Sequence, residues 1–183
     1  MKNAIVFLAP GFEETEAVTA IDMLRRANIQ VTVAGISDTL VTGSHGIALV
    51  AEKKLVDVKE TFDACVLPGG MPGATNLAAS PLVKERVAKM FSDGKLVAAI
   101  CAAPAVVLAP WGILNNRTAT CYSGMQTSFP PNARYVTDPV VVDENLITSR
   151  GAATALLFAL AIIEKLAGRE MKEKIVKATQ LPG

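Results

Sequence analysis

Cys101 stands at the junction between Leu96 to Ile100, a short apolar run, and an alanine-rich run that begins at Ala102. The first run suits a strand covered on both faces and the second suits a helix, so the cysteine falls on the corner between them. A strand that passes directly into a helix must turn sharply, which lifts the corner side chain out of the sheet. The thiol then lies over the first helical turn, where unpaired N–H groups and the positive end of the dipole favour thiolate. Cys101 could equally be a small buried hydrophobe, as free cysteines usually are. The local pattern leaves both readings open.

Glu16 is the acid that such a thiol could use. It lies one turn into a helical pattern, and its neighbours Ala17 and Val18 are apolar, so its carboxylate can point into a crevice. Beside a thiolate its pKa would rise, and the protonated carboxyl could donate to sulfur and serve as general acid or base. Equally, Glu13, Glu14 and Glu16 could simply complement the dipole at a helix start. Gly69 and Gly70 follow another strand and would let the backbone present N–H groups to an oxyanion, with the Ala102 N–H as second donor. His45, the only histidine, falls between glycines in a turn, which argues for a surface position. Cys65 reads as a core strand residue, and Cys121 could reach the crevice edge from its own strand. The spacing of the three cysteines offers no zinc motif, and no nucleotide-binding glycine signature is present.

These residues need a scaffold that gathers strand ends. Asn3 to Leu8 is continuously apolar, as in a parallel sheet. A helical period starts at Glu13, with Ala17, Ile21 and Leu24 on one face, and Gln30 to Ile36 is the next strand. Leu40 to Val50 reads as a hairpin around Gly43 and Gly46. Ala64 to Leu67 is a short buried strand, followed by a Gly- and Pro-rich loop. Ser80 and Pro81 open a helix that Gly94 closes. After the elbow helix come β segments near Thr118 to Cys121, Tyr135 to Thr137, Val140 to Val142 and Leu146 to Ser149. A long apolar helix spans Gly151 to Ala167, and a final amphipathic one Met171 to Ala178. This alternation predicts a flavodoxin-like, doubly wound α/β sandwich with a mostly parallel sheet. In such folds ligands bind beyond the carboxyl ends of the strands, which brings Gly11 to Glu16, Gly69, Gly70, Cys101, Ala102 and Ser149 to Gly151 into one region.

The chain has 183 residues, 51% of them hydrophobic and 19% charged, which fits one domain over 1–183 with a substantial core. A net charge of +1 gives no electrostatic reason to expect nucleic acid or an anionic membrane as partner. An odd number of widely spaced cysteines without a secretory leader points to reduced thiols and the cytoplasm. The uncharged stretch Leu96 to Leu114 is long enough to scan as a membrane span, but Pro104, Pro110 and Gly112 interrupt it. A buried core segment is the expected reading.

Taken together, LAPGFEETEAV (Leu8 to Val18), DMLRRA (Asp22 to Ala27), VLPGG (Val66 to Gly70), AAICAAPAVVL (Ala98 to Leu108), TSRGAAT (Thr148 to Thr154) and FALAIIEKLAG (Phe158 to Gly168) resemble the ThiJ/PfpI superfamily. The resemblance runs nearly end to end, and is to the branch that holds the parkinsonism-associated deglycase and similar bacterial chaperone-like proteins. It implies a homodimer with Cys101 as the reactive elbow cysteine, Glu16 as its carboxyl partner, and Gly69, Gly70 and Ala102 as the backbone oxyanion site. Glu13, His45, Cys121, Ser149 and Arg150 would support that site or a dimer contact. The activities it implies are glyoxalase or deglycase, holdase chaperone, and stress sensing by cysteine oxidation; intracellular protease is an older label. Relatives with a catalytic histidine carry it near the strand after the elbow, where this chain reads Thr120, Cys121 and Tyr122. That undercuts a Cys-His-acid protease. At the hairpin position where the branch often has arginine, this chain has His45. Together with a lone thiol, a lone carboxyl and backbone donors, the resemblance implies a cofactor-independent enzyme for small reactive carbonyls such as methylglyoxal, glyoxal or their adducts, with a cysteine-oxidation sensor and chaperone as the alternative.

Overall fold

The computed structural model describes residues 1–181. Strand β1 (Asn3–Leu8) is apolar throughout because both of its faces are covered. Ala4, Val6 and Leu8 face one hydrophobic layer, while Ile5 and Phe7 face the other. Helix α1 (Glu14–Arg26) buries Ala17, Ala20, Met23 and Leu24, the spacing of one helical face. It ends on Arg25 and Arg26, where cations suit the dipole. Strand β2 (Gln30–Gly35) returns parallel to β1, and the hairpin forms as β3 (Leu40–Thr42) and β4 (Ala48–Val50). A short edge strand β5 (Lys53–Lys54) and a 3-10 turn at Leu55–Asp57 follow; at two and three residues they are too short to carry a periodic signal in the sequence.

Strand β6 (Ala64–Leu67) is followed not by a bare loop but by helix α2 (Gly73–Ala79), whose Ala74 and Leu77 are buried. Glycine at its first position hides this helix from propensity. Helix α3 (Pro81–Ser92) starts as expected, with Ser80 Oγ accepting from the Val83 N–H, and leads to β7 (Leu96–Ile100). The elbow helix is much shorter than the alanine run implies: Pro104–Leu108 form a single π-helical turn. Pro110 can neither donate to the Val106 carbonyl nor fit against it, so a regular helix cannot continue. The uncharged stretch is thus divided among a strand, this turn and bends, and among the described residues no helix is long and apolar enough to cross a membrane.

The remaining elements are β8 (Thr118–Ala119), β9 (Arg134–Tyr135), β10 (Val140–Asp143), β11 (Leu146–Ser149), α4 (Ala155–Ala167) and α5 (Arg169–Ala178). A 3-10 turn at Ala152–Thr154 occupies what the sequence reads as the first turn of α4. The main sheet has seven strands in the order β10-β11-β7-β6-β1-β2-β5, all parallel except β10. Helices α1, α4 and α5 cover one face, and α2, α3 and the elbow turn cover the other. This is the doubly wound sandwich. The order reverses at β1, which hands the chain to β2 on one side and has β6 on the other. The crevice at that reversal lies beside the carboxyl ends of β1, β6 and β7, where Glu16, Gly69 and Cys101 follow their strands.

Candidate active site

Cys101 occupies a left-handed backbone conformation, φ +63°, which a side chain other than glycine adopts at a cost of order 1 kcal/mol. Its neighbours impose it. The Cys101 N–H donates to the Ser149 carbonyl at 2.9 Å, extending the β7–β11 ladder, while its own carbonyl accepts from the Tyr122 N–H at 2.8 Å. With both backbone groups held, the side chain is turned out of the sheet and is partly exposed, unlike the buried thiols of Cys65 and Cys121. The backbone N–H groups of Gly70 and Ala102 donate toward its sulfur.

Glu16 is 1% exposed. One carboxyl oxygen, Oε2, accepts the Gly69 N–H at 2.8 Å, and the other, Oε1, is buried without a hydrogen-bond partner. Burial raises this carboxyl from 4.5 to about 7, against the pull of the Gly69 N–H and the neighbouring thiol. Burial also pushes the Cys101 thiol up, and the negative charge of Glu16 pushes it further, to about 12. Burial and the Glu16 charge thus oppose the pull of the helix start toward thiolate. Protonation of Glu16 removes the repulsion, leaving the Gly70 and Ala102 donors to draw the thiol down against its burial.

The glycines are needed for this closeness. A Cβ on Gly69 would lie 2.6 Å from Cys101 Cβ and 2.9 Å from Glu16 Oε2. Gly70 has φ +84°, and a Cβ there would collide with the backbone nitrogen of Glu13. One expectation needs correction: the Gly69 N–H is already bound to Glu16, so of the glycine pair it is Gly70 that faces the sulfur.

The three glutamates at the start of α1 do three different things. Glu13 is the N-cap, its Oε2 accepting the Glu16 N–H at 2.7 Å, and its own N–H donates to the Gly69 carbonyl at 3.0 Å, lacing the two loops together. Glu14, which sequence reasoning placed only among the dipole acids, is a buried clasp for the hairpin. It accepts from the backbone N–H groups of His45 at 2.7 Å and Ile47 at 3.3 Å, and its Oε2 lies 2.9 Å from His45 Nδ1. Burial alone would raise this carboxyl, but the His45 and Ile47 donors draw it down to about 2. The His45 side chain is 71% exposed and is raised by the same contact with Glu14. His45 thus serves the clasp. Glu13, Glu14 and His45 bring one donor atom each within 4.8 Å of one another, yet both Glu14 oxygens and Glu13 Oε2 already accept hydrogen bonds.

Ser149 is buried and its hydroxyl bonds to the Pro139 carbonyl and Thr154 Oγ1, both at 2.7 Å, so it fixes the backbone under Cys101 rather than facing the crevice. Arg150 donates to the Thr137 carbonyl at 3.2 Å. Cys121 is buried, with Sγ 3.3 Å from the Tyr122 carbonyl; burial raises its thiol to about 11 despite the nearby charge of Arg150. Tyr122, whose N–H holds the corner, escaped the sequence reading because the contact spans a loop and involves only backbone. An open depression of about 390 Å³, lined by Tyr122, Pro139, Arg150 and Thr154, lies on this side of the elbow.

An elbow cysteine paired with a buried carboxyl under backbone donors can be compared with known proteins. The model of the DJ-1/PfpI family matches residues 2–165. The chain belongs to the DJ-1/PfpI family. It is 45% identical over 179 residues to protein dj-1beta of Drosophila melanogaster, covering 96% of this chain and 95% of that one. It is 38% identical over 178 residues to a Caenorhabditis elegans protein named glutathione-independent glyoxalase DJR-1.2, covering 96% and 95%. The oxidised form of DJ-1 from Toxoplasma gondii superimposes with a TM-score of 0.95 at 37% identity, covering 98% of each chain. The family fold is the flavodoxin-like one found here, and its members include a protein named as a glyoxalase.

Proposed function

We propose that this DJ-1/PfpI family member is a cysteine-dependent glyoxalase or deglycase-like enzyme acting on methylglyoxal, glyoxal or their early adducts. The observation that carries the reading is the Glu16 carboxyl, anchored through Oε2 and bare at Oε1, buried beside the one partly exposed thiol. A group with pKa about 7 is suited to moving protons in both directions near neutrality. Ionised Glu16 takes the Cys101 proton as sulfur adds to the aldehyde carbon, and the proton passes to the aldehyde oxygen to give a hemithioacetal. Developing negative charge on that oxygen is met by the Gly70 and Ala102 N–H groups. Glu16 then removes the hydrogen from the former aldehyde carbon and returns it to the neighbouring carbon, while the hydroxyl proton passes to the neighbouring carbonyl oxygen by way of an enediol. This isomerises the adduct to a thioester, which water cleaves to a 2-hydroxy acid with return of the thiol. The net reaction adds one water to methylglyoxal to give lactate. The name of the nematode relative supports this substrate class.

Purified protein given methylglyoxal should form lactate at a rate that Cys101→Ala abolishes. Undiminished turnover by Cys101→Ala would overturn the reading. A second reading rests on the same donors: Gly70, Ala102 and protonated Glu16 would also hold the oxygens of a Cys101 sulfinate, making the site a peroxide sensor. Mild peroxide and intact mass separate the two, since sensing alone requires two added oxygens at Cys101 with negligible carbonyl turnover. A homodimer belongs to the same proposal, with exposed Val18 and Val50 sharing one apolar depression on its surface. Light scattering at micromolar concentration tests it, and a monomer there excludes it.

A further inference from the structure

On the face of the sheet covered by α3, a cavity of about 430 Å³ opens between that helix and the segment leading into β6. Its mouth is formed by residues that precede β6 and β7, Phe62 and Lys95 among them, and none of its lining residues belongs to the elbow crevice. Its floor is Ile5, Phe7 and Phe62, each buried, with Met90 of α3 as a wall. The rim is charged, and its acids are already committed. Glu60 pairs with Lys53, and Asp93 pairs with Lys89 at 2.9 Å; the rim cation Lys95 pairs with Asp63 at 3.2 Å. Two rim cations remain. Lys59 Nζ donates to the Val56 carbonyl at 3.1 Å and Arg86 donates to the Val58 carbonyl, and among the described residues neither has a carboxylate partner. Arg86 Nε is buried and has no acceptor at all.

A buried guanidinium N–H without an acceptor calls for one, and an apolar floor beneath it calls for something other than a bare ion. We propose that this cavity binds a small carboxylate carried on an apolar stem, with the stem over Phe7 and Phe62 and the carboxylate between Arg86 and Lys59. The volume lies within the range of small-molecule sites. An alcohol of the same length would fill the floor but offer the guanidinium no charge, and an amine would add repulsion.

Calorimetric titration of the full chain with octanoate, 1-octanol and octylammonium tests this. Octanoate should bind one to one, about tenfold or more tighter than either control. Arg86→Gln should weaken octanoate about tenfold or more and leave octanol unchanged. Capping Cys101 with iodoacetamide should change nothing. Octanoate binding no tighter than octanol, wild-type affinity in Arg86→Gln, or loss of binding on capping Cys101 would each overturn the proposal. If Arg86→Gln fails to fold, Met90→Trp, which fills the cavity, serves instead: retained octanoate affinity there is equally fatal.

Discussion

Replacing Glu16 by glutamine isolates the electrostatics of the site. In the folded protein burial raises this carboxyl from 4.5 to about 7. That interval corresponds to roughly 3 kcal/mol of stability, present below about pH 4.5, lost progressively as pH rises to about 7, and constant above. Glutamine cannot ionise. Its amide oxygen can keep the Gly69 N–H bond, and its NH2 group takes the place of an oxygen that already lacks a partner, so the packing cost is small. Glu16→Gln should therefore match the wild type near pH 4.5 and exceed it by roughly 3 kcal/mol at pH 8, a gain of about 6 to 12 °C in Tm. The thiol should respond too. Removal of the charge that holds Cys101 up shifts the pH profile of iodoacetamide alkylation to lower pH. Turnover of methylglyoxal should fall about a hundredfold to ten-thousandfold, because the proton carrier is gone. Parallel pH–stability curves for the two proteins, or an unmoved alkylation profile, would refute the reasoning.

Gly69→Ala should remove activity and cost about 1 to 3 kcal/mol, because the new methyl meets Cys101 Cβ at 2.6 Å and the backbone cannot yield to both neighbours; assay and urea unfolding check it. Glu14→Gln should destabilise by about 1 to 3 kcal/mol at pH 7 and open the 43–47 turn to limited proteolysis. Because the Glu14 carboxyl is drawn down from 4.5 to about 2, that difference should persist above about pH 4.5 and fade as pH falls toward 2. Under native conditions, iodoacetamide followed by peptide mapping should label Cys101 alone, since it is partly exposed while Cys65 and Cys121 are buried out of reach of the reagent.

Much of this was legible in the chain because it rests on local patterns. The apolar run of β1, the helical period from Glu13 and the Ser80-Pro81 start of α3 each report burial or capping within a few residues. The corner at Cys101 is local in the same way: a strand composition meets a helix composition there. The length of the elbow helix was not legible from its alanines, since Pro110 limits it by a clash one turn back. Helix α2 escaped because its glycine start and short length leave too few periodic positions.

What the sequence by itself determined was the doubly wound order of elements and the place of Cys101 at a strand-to-helix corner, because periodicity and motif are properties of neighbours along the chain. Only the tertiary structure decided which of three adjacent glutamates enters the crevice. Glu13, Glu14 and Glu16 share one helix start and one chemistry, and they are separated by partners brought from elsewhere. Glu13 accepts from the helix's own Glu16 N–H, Glu14 from a turn 31 residues on, and Glu16 from Gly69, 53 residues on. The same distant packing sets their charges. Hydrogen-bond donors outweigh burial at Glu14, and burial outweighs its single donor at Glu16, leaving one carboxyl ionised and the other poised near neutrality.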